Sequence, residues 1–407
     1  MTAVRSIVAA LAVIASAGAL TACGSPAPAA PAASGTAFAG TASPGTASAS
    51  AEPASSTSAG SAADSLTTSL TTAEDDWAVV PVSANPRYWQ VLVRPVTSAA
   101  WRLVTPPGVA DNGGLVAATA AGSLTVAVRP SQNLLFSPLA STANAGTTWS
   151  APAPLSAGVA ASPGALAASG RQLLAVLDDG AITASSDAGA SWRTLAKPGA
   201  IAASAAGKAC GTVAVTSVSF GLAGSSALAA GRCGATGTAG LFARSLTGAS
   251  GDWTRVSLPV AGQLVRLLAG SAVLVQTKAG LTALWGNTGW YAYAPLTSAA
   301  KPAAGWTASP PLPVIGAVAA SGELAGEGAW VLLPGGQAAT IAGPGRRWLL
   351  LPPAPAGTAA LSPGTGGAID ALAVSGATLT IWRLVPEATV WVKIQAITVP
   401  IQYGSSS

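Results

Sequence analysis

From about residue 74 onward the apolar positions gather in short runs separated by Gly, Pro, Asn or Asp, and no stretch keeps the 3.6-residue spacing of an amphipathic helix. Runs of that length, rich in Val, Leu, Thr and Trp, predict β-strands joined by turns. The runs also repeat. Trp101, Trp149, Trp192, Trp253, Trp290, Trp348 and Trp391 recur at intervals of 48, 43, 61, 37, 58 and 43 residues. Most open an extended segment that closes on proline, as in WRLVTPP from Trp101, WRTLAKP from Trp192 and WTRVSLP from Trp253. Proline cannot donate to a further strand, so such a segment suits an outer edge.

A turn marker precedes each tryptophan by roughly one strand plus one hairpin. The markers lie at 85–86, 130–131, 178–180, 234–240, 278–280, 334–336 and 375–376. Each unit then reads as four antiparallel strands; in the third they fall near 165–168, 172–177, 181–185 and 192–195. Seven such units predict an all-β fold, a seven-bladed β-propeller of four-stranded antiparallel blades over residues 74–407, whose closure hides the strand edges. The first unit begins at its second strand, 77–82, and the spare β-run at 398–403 is expected to complete it. In the fifth unit Trp290 sets the preferred register, with Trp306 as the alternative. The preferred register makes 297–313 an insertion that carries Trp306 out of the repeat as a candidate partner anchor.

The sharpest local signal is Ser185-Ser186-Asp187-Ala188-Gly189-Ala190-Ser191-Trp192. Ser185 and Asp187 can bond turn amides, Gly189 can take positive φ and Trp192 can anchor the turn on its sheet. The spacing S-x-D-x-G-x-S-W resembles the Asp-box, or BNR repeat, of sialidase-like β-propellers. Residues 142–149 keep the Gly and Trp with Asn144 in place of the acid, and the copies before Trp290 and Trp348 are further reduced. The resemblance implies the fold. It does not extend to the sialidase catalytic set, because the amino-terminal arginine motif of that family has no match and none of Tyr88, Tyr291, Tyr293 and Tyr403 has a Glu beside it in sequence.

The N-terminus predicts an address. Arg5 precedes an apolar run over 7–20, the layout of a secretory signal, and the run is short for a membrane span. Leu20-Thr21-Ala22-Cys23 resembles a bacterial lipobox, which implies removal of residues 1–22 and a lipid on Cys23. Residues 25–72 are almost only Ala, Ser, Thr, Gly and Pro, so residues 23–73 are expected to form a lipidated, disordered tether with a reach on the order of 40 Å. The expected location is the outer face of the cell membrane.

Cys210 and Cys233 are the cysteines left after the anchor, and an exported pair favours a disulfide over free thiols or a metal pair. The charge balance, 19 bases against 14 acids, contains no basic cluster longer than Arg346-Arg347, which argues against nucleic-acid binding. The chain has no His, which removes Ser-His-Asp triads, Cys-His pairs and His-based metal sites; no cofactor or metal is expected. Asp178 and Asp179 form the best carboxylate pair by position, although D-D-G is itself a favoured turn. The expected function is a non-enzymatic binding or scaffold module, monomeric, for a protein or glycan partner. Its candidate contacts are Arg129, Asp178, Asp179, Lys278 and Trp306. The alternative is a sialidase-like glycan hydrolase or lyase with an atypical site.

Overall fold

The computed structural model describes residues 68–71, 75–82, 89–106, 115–120, 123–128, 139–150, 163–211, 213–221, 225–247, 251–268, 272–286, 306–313, 317–324 and 328–399. All belong to the unit Ala59–Ser407. Their strands run in consecutive antiparallel meanders. The first comprises β1 (Thr68–Thr71), β2 (Asp75–Pro81), β3 (Trp89–Pro95) and β4 (Arg102–Leu103). The second comprises β5 (Leu115–Ala120), β6 (Ser123–Val128) and β7 (Leu139–Thr142), and the third β8 (Pro163–Ser169), β9 (Gln172–Leu177), β10 (Ile182–Ser185) and β11 (Arg193–Ala196). The fourth holds β12 (Val213–Phe220), β13 (Ser226–Cys233), β14 (Thr238–Ser245) and β15 (Thr254–Val256); the fifth holds β16 (Gln263–Leu267), β17 (Ala272–Thr277), β18 (Gly280–Gly286) and β19 (Trp306–Ala308). These two share one eight-stranded sheet through the single pairing Thr238↔Gln263. The sixth is β20 (Ala320–Leu324), β21 (Gly328–Leu332), β22 (Ala338–Ile341) and β23 (Leu349–Leu350). The seventh is β24 (Thr358–Pro363), β25 (Ile369–Ser375), β26 (Thr378–Leu384) and β27 (Val392–Thr398).

The structure differs from the sequence reading in three places. Thr68–Thr71, inside the stretch expected to be tether, is a strand that pairs with β2 in register Thr68↔Val79 to Thr71↔Asp76. It fills the place given to 398–403, of which residues 400–403 lie outside the described residues. Thr-Ser-Leu-Thr alternates like a strand, and the polar composition around it hid that signal. Second, Trp306 opens β19 and pairs with Gly286, so it sets the fifth register; it sits half-buried against the fourth and fifth meanders instead of standing on an insertion. Trp290 lies outside the described residues. Third, two short helices, α1 (Ala200–Ala203) and α2 (Ala205–Cys210), link β11 to β12. Ser204 caps the second by accepting from Gly207 N at 3.1 Å. Helices of one turn are too short to show a period.

Each sheet buries both faces, which is why its inner strands read as unbroken apolar runs. In β2, Trp77 and Val79 pack with Leu124 of the second meander, whereas Ala78 and Val80 pack with Leu372 and Ile381 of the seventh. Further clusters join the third meander to the fourth, the fourth to the fifth and the fifth to the sixth, and the sixth shares a cluster with the seventh and first. The chain of packing therefore returns to its start.

The marker tryptophans tie neighbours together. Trp149 Nε1 donates to the Val104 carbonyl at 3.0 Å, Trp348 Nε1 to Ser309 Oγ at 3.2 Å and Trp391 Nε1 to the Pro352 carbonyl at 3.3 Å. Each acceptor follows the preceding meander's own Trp by three or four residues, an offset that Trp306 and Ser309 also satisfy. Trp101 reaches back across the first–last seam, donating to Asp370 Oδ2 at 3.1 Å.

That seam is ionic. Asp370, fully buried, accepts from Arg383 Nε at 2.7 Å and Nη2 at 2.9 Å, with Arg94 Nε at 3.8 Å. Hydrogen bonding to Asp370 holds the Arg383 guanidinium above its usual range. Arg94, also buried, pairs with Asp76, donates to the Pro363 carbonyl at 2.7 Å and stands 5.7 Å from the centre of the Trp101 ring. Nearby, the Gln395 amide mimics a strand partner: its Oε1 accepts from Trp101 N at 2.9 Å and its Nε2 donates to the Trp101 carbonyl at 2.8 Å.

Candidate functional site

The turn after β10 is built as its residues demand. Ser185 Oγ donates to Asp187 Oδ1 at 2.7 Å and accepts from Gly189 N at 2.8 Å. Asp187 accepts from Ser191 N at 2.9 Å and Ser191 Oγ at 2.5 Å. Ala188 and Gly189 take φ of 60° and 91°, and Trp192 Nε1 closes the turn on the Gly189 carbonyl at 3.1 Å. The turn after β7 repeats this geometry with other residues. Thr142 Oγ1 accepts from Gly146 N at 3.1 Å, and Asn144 Oδ1 accepts from Thr148 N at 2.9 Å. Ala145 and Gly146 again have positive φ. Ser185, Asp187, Gly189 and Trp192 are thus brought together, with their polar atoms used inside the turn.

The Ser191 hydroxyl and amide, then Ser185, hold the Asp187 carboxyl at about 2, below its ordinary value of 3.8. A group with a lowered folded value contributes stability in full above 3.8 and loses it as pH falls through about 2. A carbon-detected NMR titration is expected to place the Asp187 midpoint near 2. In Asp187→Asn the turn persists, as Asn144 shows in the sister turn, and this share of the acid sensitivity between pH 4 and 2 disappears; an Asp187 midpoint at or above its free value contradicts the account.

The other predicted residues are dispersed. Asp178 and Asp179 lie on the β9–β10 turn, where Asp179 Oδ1 accepts from Ala181 N at 2.8 Å, the work of a turn-forming aspartate. Lys278 is exposed on the β17–β18 turn. Arg129 and Cys23 lie outside the described residues, as do all four tyrosines. Among the described residues no group of three potential metal ligands occurs, and no helix is long and apolar enough to cross a membrane.

Cys210, at the end of α2, is bonded to Cys233, at the end of β13, with Cα atoms 5.2 Å apart. The pairing Val213↔Cys233 brings those ends together. Gly240 on β14 lies beneath both sulfurs, where any side chain would strike them. Just beyond the bridge, sequence reasoning missed a cavity of about 420 Å³ lined by Ala214, Arg232, Gln263, Leu264 and the turn 234–237. Gln263 Nε2 donates to the Thr236 carbonyl at 3.1 Å, and Ala239 N donates to the Gly262 carbonyl at 2.7 Å, so the fifth meander forms one wall and the fourth the other. Neither Asp178, Asp179 nor Lys278 lines it. Its signal in the sequence is the glycine-rich marker 234–240, which reads only as a turn because Ala214 and Gln263 join it through strand pairing.

At the next junction Arg266 of β16 donates to the Ser321 carbonyl of β20 at 2.5 Å. Burial draws its guanidinium down to about 10, opposed by Glu323. This pair joins the fifth and sixth meanders and lies outside the cavity lining.

No protein-family model matches the chain, and no curated protein matches its sequence. Among solved structures it is similar to YCF48 from Cyanidioschyzon merolae, at 15% identity and a TM-score of 0.48 over 80% of this chain and 97% of that one. A structure of YCF48 bound to D1 peptide matches at 12% identity and 0.44, over 79% and 93% of the two chains. A 6-phosphogluconolactonase-like protein of Bacteroides uniformis matches at 11% and 0.47, over 81% and 98%. No role is carried over from these likenesses.

Proposed function

We propose that this chain is a membrane-anchored extracytoplasmic lipoprotein whose domain is a seven-bladed β-propeller acting as a non-enzymatic binding module. The observation that carries the reading is the cavity between the fourth and fifth meanders, set on a frame whose packing returns from the last meander to the first. A packed frame with an open recess, and with most of the acids among the described residues held in turns or in the seam, is suited to holding a partner. The serine, aspartate, glycine and tryptophan of 185–192 act in this reading as an Asp-box turn, a structural part of one blade. Cys23 carries the lipid, and the chain from there to about Thr68 is the tether.

The test separates anchor from module. In membrane fractionation of cells expressing the full chain, the protein is expected to sediment with membranes, and Cys23→Ser to release it. Affinity capture from envelope extract is expected to enrich one partner in both forms. Release of neither form, or turnover of sialosides and related glycosides by the purified domain, contradicts the reading.

A further inference from the structure

We propose that the turns between the third and fourth strands of the sixth, seventh and first meanders form a face that docks on an anionic lipid bilayer. Neither the lipid at Cys23 nor the cavity is needed for it. Among the described residues, every large apolar side chain that stands exposed lies in or just after these turns: Val96 in the first meander, Leu349 and Leu350 in the sixth, and Val385, Val390, Val392 and Ile394 in the seventh. The three meanders are consecutive in the packing. Trp391 Nε1 reaches the Pro352 carbonyl of the sixth, and Arg94 donates to the Pro363 carbonyl, which the strand register sets across Ile369 from Leu384, so the three turns adjoin. Single exposed apolar residues are ordinary, whereas a gathering of them marks a contact surface.

The turns do not need these side chains for their own geometry. Just before the marker tryptophan the second and third meanders carry Thr148 and Ser191, whose amides and hydroxyls bond Asn144 and Asp187. The seventh has Val390 at that place, 68% exposed. Charge then selects the occupant. Residues 95–102, 343–350 and 385–394 carry Arg102, Arg346, Arg347 and Lys393, all exposed, against the single acid Glu387. A second copy would set these cations against their own equivalents across a two-fold axis. A protein partner would be expected to use aromatic anchors in closed pockets, but Trp101, Trp348 and Trp391 are turned inward, to Asp370, Ser309 and Pro352. Projecting valines and leucines flanked by long basic side chains suit a bilayer interface, where the apolar tips enter the acyl boundary and the cations stay with the lipid phosphates.

The probes are vesicles of phosphatidylcholine alone and of phosphatidylcholine with phosphatidylglycerol at about 7:3. In the full chain bearing Cys23→Ser, which cannot carry the lipid, Val390→Cys supplies a thiol for an environment-sensitive dye, because Cys210 and Cys233 are bonded to each other. Ala190→Cys, exposed in the corresponding turn of the third meander, is the reference. The dye at 390 is expected to brighten severalfold and shift to the blue with the mixed vesicles, to respond weakly to phosphatidylcholine alone, and to lose most of its response in roughly 1 M salt. The dye at 190 is expected to stay silent. The readout is local, so vesicles held only by the N-terminal segment leave the two labels alike. Arg346→Gln with Arg347→Gln is expected to weaken affinity for the mixed vesicles about tenfold. Leu349→Ser with Val385→Ser, at exposed positions, is expected to weaken it by a similar factor without moving the thermal midpoint. Silence at 390, equal responses at 390 and 190, or affinity unchanged in both double variants overturns the proposal. A blue shift that grows with protein concentration in the absence of vesicles overturns it in favour of a second copy, and one produced by delipidated envelope proteins but not by vesicles overturns it in favour of a protein partner.

Discussion

Asp370→Ala is expected to lower the unfolding free energy by about 3–5 kcal/mol, the usual cost of breaking a buried ion pair from one side. The carboxylate accepts from both donors of Arg383 and from the Trp101 indole, and it faces Arg94 at 3.8 Å. Alanine leaves the Arg383 charge half-buried, strands the indole N–H and opens a cavity between the first and seventh meanders. Arg94 keeps Asp76, so the pair Asp76–Arg94 limits the damage. Urea unfolding followed by tryptophan fluorescence reads the change as a lower midpoint at unchanged slope. Asp370→Ala combined with Arg383→Leu removes the lone charge and is expected to recover part of the loss. A double-mutant cycle with no coupling between the two positions contradicts the account.

The second large effect is at the Cys210–Cys233 bridge. It closes a loop of 23 residues, for which the chain-entropy account gives about 3 kcal/mol. Replacing both cysteines with serine is expected to cost that much in the same unfolding assay, and to match wild-type protein unfolded under reductant. Thiol titration of the unfolded, unreduced domain is expected to find neither Cys210 nor Cys233 reactive. Two reactive thiols there contradict the bridge. Because Gly240 lies against both sulfurs, Gly240→Ala tests the same contact from the third strand and is expected to destabilise by about 1–3 kcal/mol.

Much of the β architecture was legible in the chain because tryptophan and turn residues recur at intervals set by strand length. Six of the seven marker tryptophans lie among the described residues, and four reach a neighbouring meander with the indole N–H. The fifth failed for a physical reason: two WxxxxP-like segments, from Trp290 and Trp306, fit equally well by spacing, and only pairing with β18 separates them. Residues 142–149 looked like a weakened copy of 185–192, yet Thr and Asn supply the same acceptors as Ser and Asp, so the turn is intact. What no local reading reaches is the coupling of distant residues. Asp370 and Arg383 read as scattered charges until pairing sets them beside Trp101, and Arg232 becomes a site residue only when Gln263 closes the wall opposite.

The seam between the first and last meanders also fixes an order of events in time. Trp101 meets Asp370 across 269 residues and Gln395 across 294, so its partners are synthesised long after it. A chain growing from its N-terminal side has Arg94 paired with Asp76 but not yet with the seventh meander, and the Trp101 backbone without its surrogate strand, until residues 363–395 follow. Loop closure over that span is slow compared with hairpin formation. The nascent domain therefore stays open at this seam until β27 arrives; loss of β24–β27 leaves the earlier strands folded locally but never locked.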